Sequence, residues 1–184
     1  SSLSACAQSL SSSIEGRSSD VISRRINLFM NRYDQMGINY SKSAFKVSSK
    51  PGFDPVKKQL SVTLKSELAG LEIHYTTDGS EPNNLSSVYT EPVLLDKTSI
   101  LKAITFSDGI PSEKSMSQSF NMNKATVKPV KYVIPYSESY KGSGEYTLVN
   151  GVRGSTSHSD GEWQAWEGKN MEVVIDLQQA AEIH

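Results

Sequence analysis

Between residues 59 and 122 the chain alternates apolar and polar side chains in short runs, and each run stops at a turn residue. Leu60, Val62 and Leu64 share one face of the first run. Ile73 and Tyr75 repeat the alternation before an Asp78-Gly79 turn and a Glu81-Pro82 stop. Residues 88–90 and 93–95 read as short strands broken by Pro92. A longer strand spans 99–106, where Ile100 and Ile104 alternate with Leu101, Ala103 and Thr105. Asp108-Gly109 then turns the chain, and 115–122 closes the set. A period of two puts successive side chains on opposite faces of a strand. Asp-Gly favours tight turns because glycine takes positive φ at little cost. Pro51, Gly52 and Pro55 punctuate the start. The pattern predicts a mainly β chain with a small antiparallel sandwich over residues 44–124. Tyr75, Thr77 and Tyr89 are expected to be structural within it.

The flanking segments differ. Residues 1–20 are serine-rich, with little apolar patterning. Leu3-Ser4-Ala5-Cys6 fits a bacterial lipoprotein cleavage box, but no basic or long apolar region precedes it. Ile14-Glu15-Gly16-Arg17 fits an engineered protease site. From Ser19 or Asp20 to Met36 the spacing predicts a helix. Ile22, Ile26, Phe29, Met30 and Tyr33 recur at three- and four-residue steps, and Gly37 stands as the stop. An apolar stripe of this kind needs a partner surface, and core packing outweighs membrane attachment for it. Residues 1–43 are thus expected to form an N-terminal helical segment. With no partner for its apolar face, it is expected to be the least stable part of the chain.

Residues 125–184 form the third segment. Tyr132, Tyr136, Tyr140 and Tyr146 interleave with Gly142 and Gly144, and Asn150-Gly151, Gly154, Trp163 and Trp166 follow. An apolar strand over 171–177 comes last. One strand is too little to close an independent sheet, so the chain reads as a piece of a longer protein.

Composition narrows the function. Nineteen basic residues against 20 acidic ones leave a net charge of −1, which argues against a nucleic-acid-coating protein. No apolar run reaches the roughly 18 to 20 residues of a membrane helix. A single cysteine excludes an internal disulfide framework and a cysteine-based zinc cage. His74, His158 and His184 show no metal-ligand spacing.

Three stretches resemble known modules. LEIHYTTDGSEP at 71–82, with VYTEPVLL and SILKAITFSDGIPSE after it, resembles the small sandwich behind the catalytic domain of bacterial chitobiases and β-hexosaminidases. The resemblance implies an immunoglobulin- or fibronectin-like fold. LVNGVRGSTSHSDGEWQAWEGKNMEVVIDL at 148–177 resembles the first third of a discoidin-type (coagulation factor type C) carbohydrate-binding sandwich. LSACAQ, then Glu15, Arg17, Asp20 and Ile22, then RINLFMNRYDQMGINYS, resemble the last helices of a glycoside hydrolase family 20 barrel. Where that family places a tryptophan, this chain has Ser9, Leu10 and Ser11 after Ala7-Gln8. The order implies the C-terminal region of a β-N-acetylhexosaminidase.

Family 20 catalysis uses an adjacent Asp-Glu pair, with the Glu as acid and the Asp orienting the substrate's acetamido group. No adjacent Asp-Glu pair occurs in this sequence. Glu15, Asp20 and Asp34 read as a solvated face, and no nucleophile elbow is present. The chain alone is therefore expected to lack catalytic residues and to serve in domain spacing and glycan binding. The resemblance also leaves open an active parent hexosaminidase with its catalytic residues elsewhere, or a surface adhesion module. Candidate sugar contacts are Trp163, Trp166 and Tyr146 for stacking, with Arg153 and His158 for hydroxyls. In discoidin-type modules tryptophans at this point are commonly core residues, and a core role is the favoured reading of both. A structural calcium ion, common near the start of such modules, makes Asn150 and Asp160 candidate ligands, though Asn150 stands where an acid is usual. The implied partners are glycans containing N-acetylhexosamine or galactose-type sugars and the parent's catalytic barrel. The implied location is the bacterial periplasm, cell surface or exterior.

Overall fold

A computed structural model describes residues 29, 32, 33, 35–38, 45–67, 71–107, 109–112, 114–157 and 160–182. Cys6, the 14–17 string, His158, His184 and most of the helix expected over 19–36 lie outside the described residues. Of that helix, Phe29, Arg32, Tyr33 and Gln35 are helical. Its end is a Schellman cap: Gly37 takes φ 65°, and the Ile38 N–H donates to the Tyr33 carbonyl at 2.9 Å. This one short helical end is all that the described residues show of an N-terminal helical segment, so the chain is mainly β.

Among the described residues ten strands follow in order. β1 spans Val47–Asp54, β2 Gln59–Ser66, β3 Glu72–Thr76, β4 Ser87–Val88 and β5 Val93–Leu95. β6 spans Ser99–Ser107, β7 Ile110–Pro111, β8 Met116–Phe120, β9 Val130–Tyr132 and β10 Val173–Ile175. β1, β2 and β5 make one antiparallel sheet. β4, β3 and β6 make a second, and β7 and β8 pair in turn with the two ends of β6. Ser112 N–H donates to the Thr105 carbonyl at 2.9 Å, carrying the ladder across the gap between β7 and β8. The chain passes from the second sheet to the first between β4 and β5, where Pro92 cannot donate to a ladder.

The inward faces of the two sheets form one core. Val47, Leu60, Val62, Leu64, Val93 and Leu95 of the first sheet meet Ile73, Leu101, Ala103 and Phe120 of the second. Alternation in β2 and β6 therefore does what the sequence pattern requires. Residues 51 and 52 differ from expectation: they lie inside β1 rather than before it. Pro51 pairs with Val62, and an edge strand accepts a proline because only one side of it carries a ladder.

Part of the outer face of the second sheet is buried as well, although Ile100 on that face is 43% exposed. His74, Ile104 and Phe106 all lie there below a tenth exposure, and the His74 and Phe106 rings stand 4.6 Å apart. The His74 Nδ1 lies 3.1 Å from the Ser86 carbonyl.

Past β8 the chain wraps back onto the sandwich. Asn121 N–H donates to the Gly151 carbonyl at 2.7 Å, and Val127 N–H to the Val149 carbonyl at 2.9 Å. Val127 and Val152 pack against the sandwich core. Val127 does so at φ 56°, a conformation a β-branched residue resists. The strand expected over 171–177 shortens to β10, whose partner is β9, a strand the sequence pattern did not reveal.

Candidate functional site

The turn motif at 76–82 is built as a fastening. Asp78 Oδ1 accepts from the Ser80 N–H at 3.0 Å and from its hydroxyl at 2.6 Å. Thr76 Oγ1 donates to the Ser80 carbonyl at 2.6 Å. Gly79 takes φ +83°, and a Cβ there would meet Ile100 at 3.3 Å. Beyond the turn, Glu81 receives Lys102 Nζ on one carboxylate oxygen and the Ser115 hydroxyl on the other. One side chain thus ties the β3–β4 connection to β6 and to the lead into β8. Pro82 behind it is buried.

These contacts hold both carboxyls below their ordinary range. Ser80 does this for Asp78, through its hydroxyl first and its N–H second. Lys102 does it for Glu81, with Ser115 next. Each group therefore binds its proton more weakly folded than unfolded. Its stabilising contribution is complete above the usual carboxylate range and is lost as pH falls through the folded value. The Glu81→Gln variant should accordingly melt lower near neutral pH and show a flatter acid limb between about pH 7 and pH 3. Melting curves that run parallel to wild type over that window would refute the fastening role.

The C-terminal section centres on a carboxylate that sequence reasoning missed. Glu162 accepts the Ser143 hydroxyl at 3.1 Å on both oxygens and Asn150 Nδ2 at 3.0 Å. Its own N–H donates to Asp160 Oδ1 at 2.9 Å. Asn150 is 1% exposed, and its Oδ1 accepts from the Val152 N–H at 2.9 Å. Asp160 also receives the Ser155 N–H. The Ser155 hydroxyl leads the causes that lower its pKa, followed by the N–H groups of Glu162 and Ser155. Both calcium candidates are thus engaged in folding the 150–162 loop. Among the described residues no three His, Cys, Asp or Glu side chains converge on one position. No signal in the Asp160-Gly161-Glu162 string marks Glu162 as a half-buried hub.

The aromatic candidates go to separate places. Trp163 is 47% exposed. Its Nε1–H donates to the Ser155 carbonyl at 3.0 Å, and its pyrrole ring lies so close to Gly154 that a Cβ there would stand 2.8 Å from Nε1. Trp166 is half-buried, donating to the Ile134 carbonyl at 2.8 Å and stacking on Tyr132 with centroids 6.4 Å apart. Tyr136 meets the edge of Tyr132 at 5.0 Å. Burial raises the Tyr132 phenol pKa, against the lowering effect of Gln164. Tyr146 packs on Phe53 of β1 at 5.6 Å, joining the C-terminal section to the sandwich. Arg153 is exposed, and His158 lies outside the described residues.

Residues 53–117 match the family model of the chitobiase/beta-hexosaminidase C-terminal domain. The chain contains this domain. The match begins in β1 and ends in β8, so it covers nearly the whole sandwich. The stretches resembling a barrel end and a discoidin-type module fall outside it. No curated protein matches the chain. Within the chitobiase/hexosaminidase C-terminal domain the Thr-Thr-Asp-Gly-Ser-Glu-Pro string acts through the contacts of Asp78, Ser80 and Glu81 described above. Those contacts are structural, as befits a non-catalytic accessory domain of such enzymes.

Proposed function

We propose that this chain is an accessory segment of a bacterial carbohydrate-active enzyme resembling β-N-acetylhexosaminidase, exported to the periplasm, cell surface or exterior. In this reading the sandwich spaces a catalytic barrel from the section after residue 125, and that section binds glycans carrying N-acetylhexosamine or galactose-type sugars. The observation that carries the role is the chitobiase/hexosaminidase C-terminal domain at residues 53–117. The discoidin-like string at 148–177 and the barrel-like N-terminal string extend the same reading to either side of it. The parent's hydrolysis of terminal N-acetylhexosamine would use catalytic residues outside this chain, since no adjacent Asp-Glu pair occurs here.

Trp163 is the favoured stacking ring. It is half-exposed, and both its indole N–H and the glycine beneath it fix its orientation. A fixed ring stacks on the apolar face of a pyranose with little loss of rotamer freedom. Calorimetric titration with chitobiose and with galactose, with and without calcium, tests the role. Trp163→Ala should weaken the better ligand about tenfold or more, equivalent to about 1.4 kcal/mol. Binding by neither sugar would leave the chain a purely structural spacer.

A further inference from the structure

Two open clefts meet at Asn123, where the sandwich gives way to the C-terminal section. The first, of ≈ 400 Å³, is lined by Asn121, Asn123, Leu148, Gly151, Val152 and Arg153. The second, of ≈ 520 Å³, has Lys124, Lys128, Leu177 and Glu182 among its walls. Three cations against one carboxylate line the pair, in a chain whose net charge is −1. Among the described residues neither lysine is paired with a carboxylate. Lys124 Nζ donates to the Glu182 backbone carbonyl, and Lys128 Nζ to Gln178 Oε1 at 3.4 Å.

The first cleft is held rigidly. Gly151, at φ +73°, brings its backbone against Asn121, where a Cβ would lie 3.3 Å from the Asn121 carbonyl oxygen. Asn150 fixes the next N–H, that of Val152. Arg153 therefore projects from an ordered backbone, and among the described residues its guanidinium has no hydrogen-bond or ionic partner. Asn123 uses its Oδ1 to accept the Ala125 N–H at 2.9 Å, which leaves its amide NH2 as a donor. An exposed guanidinium fork matches a carboxylate or a sulfate with two parallel hydrogen bonds. Side-chain amides beside it suit sugar hydroxyls.

We infer that this groove binds an acidic saccharide, with Arg153 on the anionic group and Asn121 and Asn123 on ring hydroxyls. The inference rests on the glycan-binding role proposed above and adds to it the ligand's charge and the groove that reads it. Lys124 and Lys128 lie along the path of a longer chain and strengthen the positive field that draws it in.

Calorimetry on the whole chain with trigalacturonate, galactose 6-sulfate and neutral chitotriose tests it. At least one acidic probe should bind about tenfold or more tightly than chitotriose, and its affinity should fall as salt screens the groove. Preference for trigalacturonate identifies the carboxylate, and preference for the sulfated sugar identifies the sulfate. Arg153→Gln should weaken the preferred acidic probe about tenfold and leave chitotriose unchanged, whereas Arg153→Lys should recover only part of the loss. Asn123→Ala gives a second variant, independent of the cation. Equal binding of acidic and neutral probes, or unchanged acidic affinity in Arg153→Gln, overturns the inference. If chitotriose binds in a Trp163-dependent manner and no acidic probe binds, the inference fails while the glycan-binding role stands. If no sugar binds, both fail.

Discussion

Phe120→Ala is expected to cost about 3–5 kcal/mol of stability. Phe120 is the largest side chain with no exposure. It sits at the end of β8, opposite Ser99 of β6, and points into the core shared with Leu60, Val62 and Leu95. Leu60 and Val62 lie on β2, which carries ladders on both sides, so they have little freedom to close over the cavity. Domains of this kind have about 5–15 kcal/mol in total. The variant should therefore unfold at a much lower urea concentration or fail to accumulate as folded protein. A loss under about 1 kcal/mol in urea titration would mean that the two sheets do not share one core.

Gly151→Val is expected to have the second largest effect, and a more local one. A β-branched residue at φ +73° is strained, at about 1–2 kcal/mol for the left-handed backbone. The added Cβ also presses on the Asn121 backbone, where nothing can rotate away. The hydrogen bond from Asn121 N–H to the Gly151 carbonyl should break, adding about 0.5–1.5 kcal/mol. Both tryptophans, Trp163 and Trp166, lie in the C-terminal section, so their fluorescence reports that section alone. Far-ultraviolet circular dichroism reports the sandwich strands. In the variant, the fluorescence transition should move below the dichroism transition. Coincident transitions would show that this seam does not couple the two sections.

Several features of the candidate site were legible in sequence for simple reasons. Leu60, Val62 and Leu64 alternate because a strand with one buried face must, and the fold obeys. Gly37, Gly79 and Gly109 sit at positive φ, where the turn signals placed them. The Leu71–Pro82 string carried enough specific residues to identify its module, and residues 53–117 match that family. Other features left no trace in local pattern. Pro51 reads as a strand breaker, yet β1 tolerates it at a sheet edge. β9 is too short and too polar to announce itself, and it is a strand only because β10 pairs with it. Trp163 and Trp166 stand three residues apart and look alike in sequence, but one is half-exposed over Gly154 and the other stacks on Tyr132.

Glu81 and Glu162 show the same division at the level of single side chains. Nothing near them in sequence names Lys102, Ser115, Ser143 or Asn150 as partners. Those residues are 21, 34, 19 and 12 positions away, and only the folded chain brings them together. By itself the sequence determined strand periodicity, the turn positions and the identity of the sandwich domain, because each depends on neighbours within a few residues. The tertiary structure alone decided the Glu81 fastening, the Glu162 hub and the groove at Arg153. Each of these depends on long-range contacts, which local pattern does not encode.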